Sequence, residues 1–235
     1  PLLKRFKEKI TVIKPPVIQE PPTPDEVAAF KAKHGLGTGP ILGFASRLAT
    51  EKGIEYGIGA LPALIERFPD LQVVFAGPYK NVVGETEYRE KIEQMLIPYQ
   101  DRWVFAGTLN GRDLAAFYGA IDLLLMTSIN STESFGLVQV EAMLCGTPVV
   151  ATNLPGVRQP VTMTGMGEIA QIADRPVGAQ HLVDATTQAI GGPTQMGLKD
   201  LAHVHARGHA QGVEDDIHRL AIGGERHILH RHDHG

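Results

Sequence analysis

Two carboxylates, Glu133 and Glu141, stand with seven residues between them in the stretch INSTESFGLVQVEAMLCGTPVVAT, residues 129–152. Two cations, Arg47 and Lys52, share one short loop-like stretch, SRLATEKG. Arg binds phosphate bidentately and Lys binds it as a point charge, so the pair could clamp a diphosphate; a solvated surface pair is the plainer alternative. Around Glu133 the pattern predicts a helix over 134–145, capped by Ser134 or Glu133 and ended by Gly146 and Pro148. Its first turn, Ser134–Leu137, would offer backbone N–H groups, and Gly136 would let a ligand come close. Glu133 could accept hydrogen bonds from ligand hydroxyls or simply be an acid favoured by the helix dipole. Glu141 lies two turns on, about 11 Å along the axis if both acids belong to one helix. That is too far for an acid/base pair acting on one bond. It suits two grips on one long ligand, or else an exposed surface charge.

The elements that must hold these residues alternate. Apolar runs of strand length occupy 41–46, 71–77, 102–107, 122–128 and 148–152. They are near-continuous, as strands of a parallel sheet covered on both faces require. Helical stretches are expected at 53–67, 86–97, 111–120, 134–145 and 179–190, with Leu137, Val140 and Ala142–Leu144 of the fourth facing the sheet. The fold class is therefore α/β, a doubly wound parallel sheet that binds ligands at the carboxyl ends of its strands. Upstream, TPDEVAAFKAKHG carries a Thr-x-x-Glu capping box for a helix ended by Gly35. Residues 1–22, with a strand-like piece at Ile10–Ile13 and prolines at 15, 16, 21 and 22, read as a linker with the remnant of a preceding domain. Residues 23–191 form the main domain. Residues 192–235 carry eight of the ten histidines and no aromatic anchor, and form a tail of uncertain structure.

Bulk properties narrow the function. A formal net charge of −4 gives no basic field for nucleic acid or an anionic membrane. The single cysteine, Cys145, excludes a disulfide framework and suits a reducing, cytoplasmic setting. No run is long and apolar enough to span a bilayer. The chain starts at Pro1 without Met, and is read as part of a longer protein.

Together, GFASRLATEKG, VVFAGP, FAGTL, LAAFYGAIDLLLMTS and ESFGLVQVEAMLCGTPVVAT resemble the donor-binding, Rossmann-like C-terminal half of a retaining GT-B glycosyltransferase, family 4 of the carbohydrate-enzyme classification (glycosyl transferases group 1). The resemblance covers residues 38–185. It implies that Arg47 and Lys52 hold the donor diphosphate and stabilise the leaving phosphate. It implies that Glu133 contacts the transferred sugar, and that the backbone of Ser134, Phe135, Gly136 and Leu137 meets sugar and phosphate. Glu141 would take the ribose hydroxyls, and the backbone of Gly107, Thr108 and Leu109 would meet the base. Arg47, Lys52 and Glu133 are then the catalytic set, and the partner is a nucleotide-sugar, with a UDP-sugar as one case. No metal and no cofactor are expected. An acceptor-binding N-terminal domain would lie outside this chain, so this portion alone is expected to be inactive, and any peripheral membrane contact would come through that domain.

Some features depart from that pattern. The family commonly places an acid after a Gly-Gly loop, and PGVRQPV has Gln159 there, so this loop is assigned no role. HGLGTGP precedes a strand and lacks the Lys-Ser/Thr ending of a phosphate loop, which makes it a turn. Cys145 reads as a small core residue, EYREKIEQML as an amphipathic covering helix, and HILHRHDHG as a solvated tail before a zinc site. Competing readings are a non-catalytic sugar-nucleotide-binding module, another GT-B enzyme such as a nucleotide-sugar epimerase, and a phosphate-regulated receiver domain. The last would need acids where Arg47 stands.

Overall fold

The structure is a computed structural model that describes residues 16–171 and 175–191. The strand-like piece at 10–13 and the histidine-rich tail lie outside the described residues. Six strands form one sheet: β1 (Ile41–Ala45), β2 (Gln72–Ala76), β3 (Trp103–Gly107), β4 (Leu123–Met126), β5 (Val149–Thr152) and β6 (Gly167–Ala170). Their order is β3-β2-β1-β4-β5-β6 and every pairing is parallel. The order reverses between β1 and β4. Loops leaving those two strands therefore diverge to opposite faces and open a crevice at their carboxyl ends.

Alternation of side chains explains why the strands are apolar throughout. Leu42, Phe44, Leu123, Leu125 and Val150 enter one core, with α2 (Ile54–Arg67), α3 (Thr86–Leu96) and α7 (Arg175–Gly191). Ile41, Leu124, Met126, Val149 and Ala151 enter the other, with α1 (Pro24–Lys33), α4 (Gly111–Ala120), α5 (Leu137–Leu144) and α6 (Gln159–Thr164). A Cβ at Gly43 would lie 2.3 Å from Ile121 Cδ1, so Ile121 would have to repack to admit one. The chain thus has the α/β, doubly wound parallel sheet that its sequence predicts.

The expected α1 forms with its capping box intact, Glu26 N donating to Thr23 Oγ1 at 3.3 Å and Thr23 N to Glu26 Oε2 at 2.7 Å. β6 and α6 were not among the expected elements. β6 is a short edge strand, GEIA, mostly half-exposed, so it lacks the continuous apolar run that marks the inner strands. Upstream of α1 the chain is extended but fastened. Val17 is buried against Val140, with Phe135, Leu144 and Met163 around them. Pro22 lies against Gly119, where any Cβ would come within 2.5 Å of its Cγ.

Candidate functional site

The loop from β1 to α2 carries the two cations, and hydrogen bonds fix it to the segment that follows β4. Thr50–Lys52 form a 3-10 turn that ends at Gly53, with φ 59° and ψ 36°. A side chain at Gly53 would bring its Cβ to 2.4 Å from Thr127 O, so both the left-handed backbone and the close approach require glycine. Thr127 Oγ1 donates to Lys52 O at 2.7 Å, and Ile129 N donates to Glu51 O at 3.0 Å. From the other side, Glu85 accepts from Thr50 N at 3.0 Å and from Thr50 Oγ1 at 2.7 Å, capping the turn with a carboxylate.

These fastenings bring Lys52 and Glu133 together. Lys52 Nζ donates to Glu133 Oε2 at 2.7 Å, and each side chain is 19% exposed. Arg47 stays within its own turn, its Nη2 donating to Glu51 Oε1 at 2.5 Å. Both pairs lie at the carboxyl edge beside the β1–β4 reversal. The cations therefore stand among three acids, Glu51 and Glu133 paired with them and Glu85 on the Thr50 turn. Burial pushes the Glu51 carboxyl up, but its own amide and the Arg47 guanidinium outweigh burial and hold it below the usual carboxylate range.

The entry to α5 corrects the expected helix. It starts at Leu137, not Ser134, and its N-cap is Gly136, with φ 77° and ψ 71°. Ser134 and Glu133 thus belong to the loop and cap nothing. The left-handed backbone at Gly136 breaks the helix that residue spacing alone extends to 134. Gln139 N donates to Gly136 O at 3.0 Å, and the amides of Leu137 and Val138 precede the intrahelical ladder. Leu137 is 41% exposed and does not face the sheet as expected. Gln139 is buried in its place. Its Nε2 donates to Phe135 O at 3.2 Å and to Val157 O at 2.8 Å. Gly156, in the loop assigned no role, packs on the same segment: its Cβ would come within 2.4 Å of Ser134 O and 2.7 Å of Glu133 O. That loop is a floor under the Glu133 backbone.

Glu141 is not a free surface charge. Tyr118 Oη, fully buried at the end of α4, donates to Glu141 Oε2 at 2.7 Å. Burial, then the Glu141 charge and hydrogen bond, push the Tyr118 phenol well above its ordinary range, so it remains a donor. Cys145, the C-cap of α5, is half-buried, and burial together with Glu141 pushes its thiol up to about 12. Gly107, Thr108 and Leu109 leave the end of β3. Gly77 N donates to Gly107 O at 2.7 Å, and Gly77 presses on Ser46, where a Cβ would meet Ser46 O at 1.9 Å. The backbone from Ser46 through Gly77 to Gly107 therefore forms one continuous rim.

The family described as glycosyl transferases group 1 matches residues 26–193. The chain belongs to this family. Among curated relatives, a 2-deoxystreptamine glucosyltransferase of Streptomyces kanamyceticus is 33% identical over 86% of this chain and 52% of its own length. A D-inositol 3-phosphate glycosyltransferase of Corynebacterium urealyticum is 32% identical over 85% and 47%. The chain spans about half the length of these curated relatives. Among solved structures, Anabaena HepE in complex with UDP and glucose superposes with a TM-score of 0.67 at 23% identity, covering 91% of this chain and 55% of that one. The C-terminal domain of the group 1 protein LpcC from Francisella tularensis superposes at 0.65, with 16% identity and 98% of that chain covered. The fold of this glycosyltransferase domain is thereby the one seen in those proteins.

Of the eleven residues singled out from the sequence, Arg47, Lys52, Gly107, Thr108, Leu109 and residues 133–136 lie at the carboxyl ends of β1, β3 and β4 or on the loops that leave them, and Leu137 and Glu141 lie on α5. Only Lys52 and Glu133 are brought into contact. The sequence reading missed Glu51, Glu85, Tyr118 and Gly156. Tyr118 and Gly156 stood in quoted stretches, but nothing local marks a tyrosine or a glycine that acts across a chain separation of more than twenty residues. No helix among the described residues is long and apolar enough to cross a membrane.

Proposed function

We propose that this chain is the donor-binding domain of a retaining glycosyltransferase, family 4 in type, which moves a sugar from a nucleoside diphosphate sugar to an acceptor hydroxyl. The observation that carries the reading is the Lys52–Glu133 contact at the strand-order reversal, where open α/β sheets bind ligands. Arg47 and Lys52 hold the diphosphate and neutralise the charge that grows on it as the bond to the anomeric carbon breaks. Glu133, with the backbone of Ser134, Phe135, Gly136 and Leu137, holds the sugar. Glu141, oriented by Tyr118, takes the ribose hydroxyls, and the rim at Gly107, Thr108 and Leu109 holds the base. Two cations do the neutralising, so binding needs neither metal nor cofactor. HepE was solved with UDP and glucose, which supports a UDP-sugar; one mycobacterial relative, 30% identical, is described as GDP-mannose-dependent. Acceptor recognition is assigned to an N-terminal domain outside this chain, and residues 23–191 to the donor unit.

Calorimetric titration with UDP, GDP and ADP in the presence of EDTA tests this. Saturable binding of one of them is expected, abolished by Arg47→Ala with Lys52→Ala while a free nucleoside still binds. Glu141→Ala should cost a ribose ligand more than its 2′-deoxy analogue. A folded chain that binds none of the three diphosphates, or a double variant that binds them unchanged, overturns the reading.

A further inference from the structure

The cations of the clamp are already occupied by the chain's own acids. Lys52 holds Glu133 at 2.7 Å and Arg47 holds Glu51 at 2.5 Å. The two pairs differ in character. Glu133 is itself placed to meet the sugar. Glu51 has no such task in the donor-site reading, yet its position is the more firmly built. Its backbone oxygen accepts from Ile129 N, its turn is capped by Glu85, and its side chain is only 18% exposed. Arg47 is 58% exposed and commits one bond to Glu51, out of the five N–H donors of a guanidinium. Between them Leu48 and Ala49 are buried and anchor the loop that carries both side chains. The acid is the fixed member, and the cation is the one that can turn to a ligand.

We propose that Glu51 is a built-in counter-ion of the diphosphate clamp: it shares Arg47 with the ligand and limits how tightly a nucleoside diphosphate is held. This rests on the donor-site reading and adds to it a residue that sets product release. Without Glu51 the surroundings of the clamp lose one negative charge, and a polyanion would be held longer. With it, the diphosphate left after transfer leaves against an anion that competes for the same guanidinium. Removing a like charge beside a bound anion changes affinity through a Coulomb interaction that salt screens.

The test is calorimetric titration of wild type and Glu51→Gln with UDP, GDP and ADP, and with the free nucleosides as controls. Gln keeps an oxygen that can accept from Arg47 and removes only the charge. The diphosphate that wild type binds should bind Glu51→Gln about two- to fivefold tighter at low salt, the scale of one largely exposed charge contact. The advantage should fade at about 1 M NaCl, where the screening length is about 3 Å. Nucleoside binding should stay as in wild type. Glu51→Ala should shift diphosphate affinity in the same direction, which guards against a local fault in one variant. Unchanged or weaker diphosphate binding in both variants overturns the role, and so does an equal change for nucleosides, which would mark a merely structural effect. Wild type binding no diphosphate at all would instead overturn the donor-site reading.

Discussion

Lys52 Nζ lies 2.7 Å from Glu133 Oε2, although 81 residues separate them in the chain. The contact joins the loop leaving β1 to the loop leaving β4, across the point where strand order reverses. Lys52→Met leaves a largely covered carboxylate without its partner, and should lower stability by about 1 kcal/mol, between the values for exposed and buried pairs. Urea unfolding measures this. Glu133→Gln keeps a hydrogen-bond acceptor and should cost less. In binding, Glu133→Gln should leave the nucleoside diphosphate held while removing any advantage of the diphosphate sugar over it. A retained advantage would count against the sugar-binding role.

Tyr118 Oη donates to Glu141 across the α4–α5 packing. Tyr118→Phe deletes this one hydrogen bond and should cost about 1 kcal/mol of stability. It also frees the carboxylate to rotate, so affinity for a ribose diphosphate should fall several-fold and that of its 2′-deoxy analogue less. Equal losses for the two ligands would sever Tyr118 from ribose recognition.

Gly156→Ala places a methyl group where Ser134 O and Glu133 O now stand, at 2.4 and 2.7 Å. Backbone must move on one side or the other. Binding of the diphosphate sugar should suffer more than the melting temperature does, because the displaced segment is a loop over the site. A variant that melts as wild type and binds as wild type would show that the floor yields without moving Glu133.

Glu55, at the start of α2, is almost fully buried and accepts from Tyr88 Oη at 2.5 Å and from Lys91 Nζ at 2.7 Å. Burial pushes its carboxyl up, and the hydrogen bonds from Lys91 and Tyr88 outweigh burial and bring it below the ordinary value. A depressed carboxyl stabilises the fold fully above its unfolded value, about 4.3, and that contribution is lost as pH falls through the folded value. The urea midpoint should therefore drop as pH is lowered from about 5 to about 3, and drop less in Glu55→Gln. Parallel slopes for the two proteins would remove Glu55 from the acid sensitivity.

The Cys145 thiol, pushed up to about 12, should be almost wholly protonated at neutral pH. Iodoacetamide should label it slowly in the folded chain and quickly in urea, as mass spectrometry would record. Rapid labelling of the folded chain would mean that the C-terminus of α5 opens readily.

The parallel sheet was legible because strands buried on both faces must be apolar at every position, as 41–45 and 123–126 are. β6 escaped because an edge strand with one half-exposed face may carry Glu168 without penalty. Lys52 and Glu133 were legible as residue types on two strand-to-helix loops; that they touch was not, because their meeting depends on strand order. The start of α5 was misplaced by three residues, since Gly136 reads equally well as a place for a ligand or as a left-handed cap. Tyr118 makes its contribution through a single contact that no spacing announces.

Val17 is wedged against Val140 and the side chain of Phe135, in the loop that leads into α5. Mechanically this turns the extended entry segment into a fixed bearing. Val140 is the shared seat, so a displacement of Val17 has to be taken up by Phe135, Leu144 or Met163, which close the same small cluster.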